Sequence, residues 1–83
     1  TSLVMYNLGQ LYYEQNKFTE AINYANQSLI YAKEVGLLDQ TFHSEKLLSD
    51  VYEAQGKHEL SLFHYKEYTK ARDSINTIEN SKK

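Results

Sequence analysis

The residues with the widest chemical reach in this chain are its three histidines, His43, His58 and His64. An imidazole can ligate a metal or move a proton near neutral pH. Helical metal motifs pair two histidines four residues apart and add an acidic partner. No two of these three have that spacing. A Ser–His–Asp set can be assembled on paper, but no Gly-x-Ser-x-Gly turn is present to present the serine. The three glycines, Gly9, Gly36 and Gly56, stand apart, so none forms a phosphate-cradling loop. Absence of cysteine removes disulfides, thiolate zinc sites and a Cys nucleophile. The carboxylates are scattered as solvated charges. The expectation is therefore no catalytic residue, no cofactor and no metal, with any catalysis residing elsewhere in a longer protein.

The chain has 83 residues, which sets the scale for everything else. A chain this short is one domain and buries only about 60% of the surface it exposes when unfolded. Little room is left for a deep cleft. The hydrophobic share of 41% and charged share of 24% exclude a disordered tail. A net charge of −2 argues against nucleic-acid binding, which needs a basic footprint. No apolar run approaches the roughly 18 residues of a membrane span, so direct membrane contact is not expected. Lack of cysteine fits the cytoplasm and the periplasm equally. Opening at Thr1, the chain reads as a piece excised from a longer protein.

The apolar spacing is helical, and the fold class is all-α. Leu8, Leu11 and Tyr12 recur at i, i+3, i+4; so do Ile22, Ala25, Leu29 and Ala32, and Leu47, Leu48, Val51 and Tyr52. Leu62, Tyr65 and Tyr68 share one face of the last segment, with Phe63 beside them. These residues read as core. No proline interrupts the pattern. Asn16, Gly36 and Gly56 stand where helices should stop. The spacing predicts helices at about 2–15, 18–35, 40–55 and 58–80, with Thr19 and Asp39 as caps or near-caps. Linkers of two to four residues lay consecutive helices antiparallel, giving two helical hairpins. His58 then falls at a turn, and His64 is expected at the surface of the last helix.

The two halves match at an offset of 40. Thr1, Leu8, Tyr12, Gln15 and Lys17 recur as Thr41, Leu48, Tyr52, Gln55 and Lys57. Leu11 becomes Val51, Ile22 becomes Leu62, Val35 becomes Ile75, and Asn16-Lys17 aligns with Gly56-Lys57. A period of this size signals a helical repeat array. Met5, Leu8, Gly9, Tyr12, Ala21 and Ala25, then Glu45, Leu48, Ser49, Tyr52, Ser61 and Tyr65, fall at matching spacings. With them the chain resembles the tetratricopeptide repeat (TPR) family, whose small residues let paired helices approach while large ones fill the gaps. The departures are Met5 and Glu45 at the Trp-like position, Ala25 for the second aromatic, no proline, and a period of 40 where about 34 is usual. The resemblance implies two stacked hairpins of a TPR-type α-α superhelix, repeat one about 2–36 and repeat two about 40–80. The tail from Tyr65 through Asp73-Ser74-Ile75 to Glu79-Asn80-Ser81-Lys82-Lys83 is similar to the closing helix of TPR regions in bacterial sensor histidine kinases and TPR-containing transcriptional regulators. That implies a sensory or regulatory part of a bacterial two-component signalling protein.

By the same resemblance, the first helix of each hairpin lines a concave side that binds a peptide or protein segment. Leu3, Tyr6, Gln10 and Tyr13 form a stripe beside the inward-facing Leu8 and Tyr12. At the offset of 40 the stripe continues as His43, Lys46, Asp50 and Glu53. These eight are the candidate groove, aromatic at one end and mixed-charge at the other. Tyr6 and Tyr13 are its candidate anchors. Lys46 and Asp50 are spaced to form an ordinary i, i+4 pair. Some family members clamp a peptide carboxylate with Lys, Arg and Asn. Here Tyr6 and Gln10 stand at the first Lys and Asn positions, so that activity is not implied. Two repeats leave both end faces bare where about three are normally needed. Leu3 and Val4 at one end, and Phe63, Ile75 and Ile78 at the other, predict a homo-oligomer. The alternative to a groove binder is an architectural or dimerising spacer.

Overall fold

A computed structural model describes the backbone of residues 2–80 and the side chains of residues 3–74. It contains four helices: α1 (Ser2–Glu14), α2 (Phe18–Val35), α3 (Leu38–Ala54) and α4 (His58–Asn80). The expected segments are present, with α3 beginning two residues early. Thr19 and Asp39 do not cap. Lys17 and Leu37 stand at the cap positions, and neither makes a side-chain cap bond. The helices have already started at Thr19 and Asp39, so neither side chain meets the first free N–H groups. Asp39 and Glu20 instead place negative charge in a first turn, where the helix dipole favours it. Of the residues read above as repeat, end face or tail, Thr1, Ile75, Ile78 and Glu79 to Lys83 lie outside the residues whose side chains are described.

The offset of 40 is written into the geometry as well as the sequence. Asn16 (φ 63°) and Gly56 (φ 77°) adopt the same left-handed conformation after α1 and α3. The Lys17 and Lys57 amides donate to the Tyr12 and Tyr52 carbonyls at 2.8 and 2.9 Å. Tyr12 stacks on Tyr24 with ring centres 5.4 Å apart, and Tyr52 stacks on His64 at the same 5.4 Å. Lys17 and Lys57 lie over Tyr12 and Tyr52 at 5.8 and 6.0 Å. Each hairpin is thus closed by one construction used twice.

Small residues set how closely the helices approach. Gly9 sits at a close crossing: a Cβ there would lie 3.1 Å from Leu47 Cδ2 and 3.3 Å from backbone atoms of Ala21 and Ala25, tight enough that the neighbours would have to give way. Ser49 takes the Gly9 position in the second hairpin, and Ser61 takes that of Ala21. Their hydroxyls meet at 3.2 Å, and Ser61 Oγ also donates to the Ser49 carbonyl at 2.9 Å. Between hairpins, Ser28 Oγ and the Ser44 hydroxyl are 2.8 Å apart with both residues fully buried.

The core is Ala21, Ala25, Leu29, Leu47, Leu48 and Val51, from α2 and α3, with Tyr6, Tyr12, Tyr13, Phe18, Ile22 and Tyr52 packed against it. Among the described residues α3 contacts all three other helices, whereas α4 contacts α3 alone. This explains four residues that the spacing assigns to the core. Leu11, Leu62, Phe63 and Tyr65 are 46, 54, 55 and 47% exposed. They sit on the outer helices, on faces that no further helix covers among the described residues, while Val51 at the position matching Leu11 is fully buried.

Candidate functional site

The eight stripe residues lie on α1 and α3, which run in the same direction because each is antiparallel to α2. The aromatic and charged portions of the stripe come side by side across the two helices. Tyr6 meets His43 with ring centres 5.8 Å apart and an interplanar angle of 46°. Lys46 Nζ donates to Asp50 Oδ1 at 2.7 Å, one turn along α3. Tyr13 is half-buried against Phe18, 6.2 Å between ring centres, so part of its surface serves its own hairpin. Leu3, Gln10, His43 and Glu53 are exposed.

Electrostatics tie the two helices together. Burial pushes the Tyr6 phenol above its ordinary pKa, the Asp50 carboxylate adds to the rise, and Lys46 opposes it. The hydrogen bond to Asp50 raises Lys46, partial burial opposes this, and the Asp50 charge adds to it. Folding thus favours the neutral phenol and the charged ammonium. Stability from both groups is intact below about pH 10 and declines as the pH climbs through their raised values. In a spectrophotometric tyrosine titration, Tyr6→Phe should remove a phase from the alkaline end of the curve. Loss of a phase from the early part would contradict the buried setting.

The aromatic surface is wider than the stripe. Phe42 lies 4.3 Å from His43 and 5.8 Å from Tyr68 between ring centres, which carries the run from α1 across α3 to α4. Tyr65 continues it 5.7 Å from Tyr68, and the Arg72 guanidinium covers the Tyr68 ring at 5.8 Å. Periodicity within single helices does not find this run, because it crosses between helices.

His64 is not a surface residue. Its Nδ1 lies 2.9 Å from Glu45 Oε1, with the two side chains only 12% and 2% exposed. Phe63 meets the ring edge-on at 5.0 Å. Glu45 holds the position of Met5 and His64 that of Tyr24, so the pair replaces two uncharged residues of the first hairpin. The signal was present in the sequence as a carboxylate at a large-residue position. No group of three His, Cys, Asp or Glu among the described residues could hold a metal ion. No helix among them is long and apolar enough to cross a membrane.

A tetratricopeptide repeat family model matches residues 1–74. The chain belongs to the tetratricopeptide repeat family. Searches of curated proteins and of solved structures returned no match. The TPR assignment agrees with the paired antiparallel helices, the small residues at their crossings and the construction repeated at 40 residues. TPR modules are typically non-catalytic and bind proteins.

Proposed function

We propose that this TPR chain is a protein-interaction module that binds a peptide or protein segment along the side shared by α1 and α3. Leu3, Tyr6, Gln10, Tyr13, His43, Lys46, Asp50 and Glu53 are the residues offered to the ligand. The observation that carries this reading is Tyr6: half-buried and held against His43 of the next hairpin, it presents a fixed aromatic edge beside the Lys46–Asp50 pair. A preorganised aromatic with a polar tip loses little entropy on binding and suits a contact hot spot. The repeats are taken as about 2–36 and 40–80. The tail around Asp73-Ser74-Ile75 supports a place in the sensory or regulatory region of a bacterial signalling protein.

A display library selecting peptides on the purified chain tests the groove. Tyr6→Ala should weaken a selected peptide by roughly tenfold or more, with the melting temperature measured alongside. A fall in melting temperature with unchanged affinity would count for a purely structural Tyr6. A second reading, a dimerising spacer, is favoured by exposed apolar residues at both ends: Leu3 and Val4 at 53 and 52%, Phe63 at 55%. Light scattering that shows monomer up to millimolar concentration would end it.

A further inference from the structure

The surface that receives α3 carries no charge. It is built from Tyr6 and Gly9 on α1 with Ala25, Ser28, Leu29 and Ala32 on α2, and α3 reaches it through His43, Ser44 and Leu47. Forty residues on, the same positions are Lys46 and Ser49 on α3 and Tyr65, Tyr68, Thr69 and Arg72 on α4. Among the described residues no helix covers this second seat. Its edge residue Leu62 is 54% exposed, and Tyr65 is 47% exposed where the matching Ala25 is fully buried.

The change of residues changes what can dock. The hydroxyl-sized space at Ser28 admits Ser44 at 2.8 Å. At Tyr68 that space is filled by a ring turned onto Phe42. An approach as close as that of α3 on α2 is therefore blocked. What the seat offers instead is an aromatic floor with a guanidinium on it. Lys46 is answered by Asp50, but Arg72 has no carboxylate at i±3 or i±4, where Tyr68, Thr69, Ile75 and Asn76 stand, and no ion pair among the described residues. Such a guanidinium is suited to a bidentate carboxylate, and Tyr and Arg together are the residues that concentrate binding energy at interfaces.

We infer that the seat formed by Lys46, Leu62, Tyr65, Tyr68 and Arg72 docks an acidic, apolar-faced segment of a partner protein. An apolar side chain of the segment lies on Leu62 and Tyr65, and its carboxylate meets Arg72. This surface shares Lys46 with the α1–α3 stripe and adjoins it through Phe42, but Leu62, Tyr65, Tyr68 and Arg72 lie outside the stripe, so variants at Tyr65 and Arg72 test the seat by itself.

The probe is a labelled amphipathic peptide of about 15 residues, with Leu along one face and Glu beside it, compared with its Glu→Gln counterpart by fluorescence anisotropy on the full chain. The Glu peptide should bind roughly tenfold or more tightly than the Gln peptide. Arg72→Glu should erase that preference and Tyr65→Ala should weaken both peptides, whereas Tyr31→Ala, at an exposed position of α2 outside both surfaces, should change neither. Arg72 and Tyr65 are exposed, so both variants should keep the wild-type circular dichroism spectrum. Equal binding of the two peptides, an unaltered preference in Arg72→Glu, or no binding at millimolar peptide overturns the inference. Loss of binding in Tyr13→Ala alone would place the peptide in the stripe. A concentration-dependent dimer abolished by Tyr65→Ala would give the seat to a second copy of the chain and also overturn it.

Discussion

Replacing His64 by Ala should cost about 3 kcal/mol of stability, because it leaves the buried side chain of Glu45 without its hydrogen-bond partner and removes the ring stacked on Tyr52. Glu45 is 2% exposed, and His64 Nδ1 lies within hydrogen-bond distance of it at 2.9 Å. Taking a polar group out of water costs several kcal/mol unless a partner answers it. Deleting the whole pair is a different perturbation. The first hairpin shows how to do it, since Met5 and Tyr24 occupy the matching positions. The double variant Glu45→Met/His64→Tyr should therefore lie close to the wild type or above it, because it removes both hydrogen-bonding partners at once and leaves neither buried and unpaired. Urea unfolding of the single and double variants measures the contrast. A loss under about 1 kcal/mol in His64→Ala would mean that water reaches Glu45 and that α4 is held to α3 by packing alone. For a small domain with total stability in the range of about 5–15 kcal/mol, the expected single loss is enough to undock α4, whose described contacts are all with α3.

The helices and their order were legible because a period of 3.6, three stopping residues and short linkers all gave the same answer. The offset of 40 was legible for the same reason: Leu8, Tyr12, Gln15 and Lys17 recur around equivalent turns. The caps were misplaced because Thr19 and Asp39 are good capping types located one residue inside helices that start without a side-chain cap. Leu11, Leu62, Phe63 and Tyr65 read as core yet lie exposed, because periodicity reports which face is apolar and says nothing of whether a neighbour covers it. His64 was misjudged for the opposite reason. A polar side chain reads as solvated until its partner is known, and Glu45 lies 19 residues away on another helix. At the candidate site, the Lys46–Asp50 pair followed from i, i+4 spacing. The contact of Tyr6 with His43 and the extension through Phe42 to Tyr68 depend on how the hairpins stack, which no single helix specifies.

That dependence on neighbours gives the second large effect a built-in control. Leu48 is fully buried on α3, the helix that touches all the others, and Leu8 is the same residue at the same repeat position on α1, where it is half-buried. Leu48→Ala removes the same atoms as Leu8→Ala but leaves a fully enclosed cavity, which can collapse less. It should cost about 2–5 kcal/mol, with Leu8→Ala lower by roughly 1 kcal/mol or more. Chemistry and helix propensity cancel in this comparison, so the difference reports closure of the surroundings alone. Urea midpoints at low chain concentration give the values. If the two costs are equal, the outer face of α1 is closed as tightly as α3, which in solution requires something seated on Leu3, Val4 and Leu11. Repeating the measurement over a range of chain concentrations then separates the cases. A Leu8→Ala cost that rises with concentration identifies a second copy as the cover, because a ligand-free monomer has a stability independent of its own concentration.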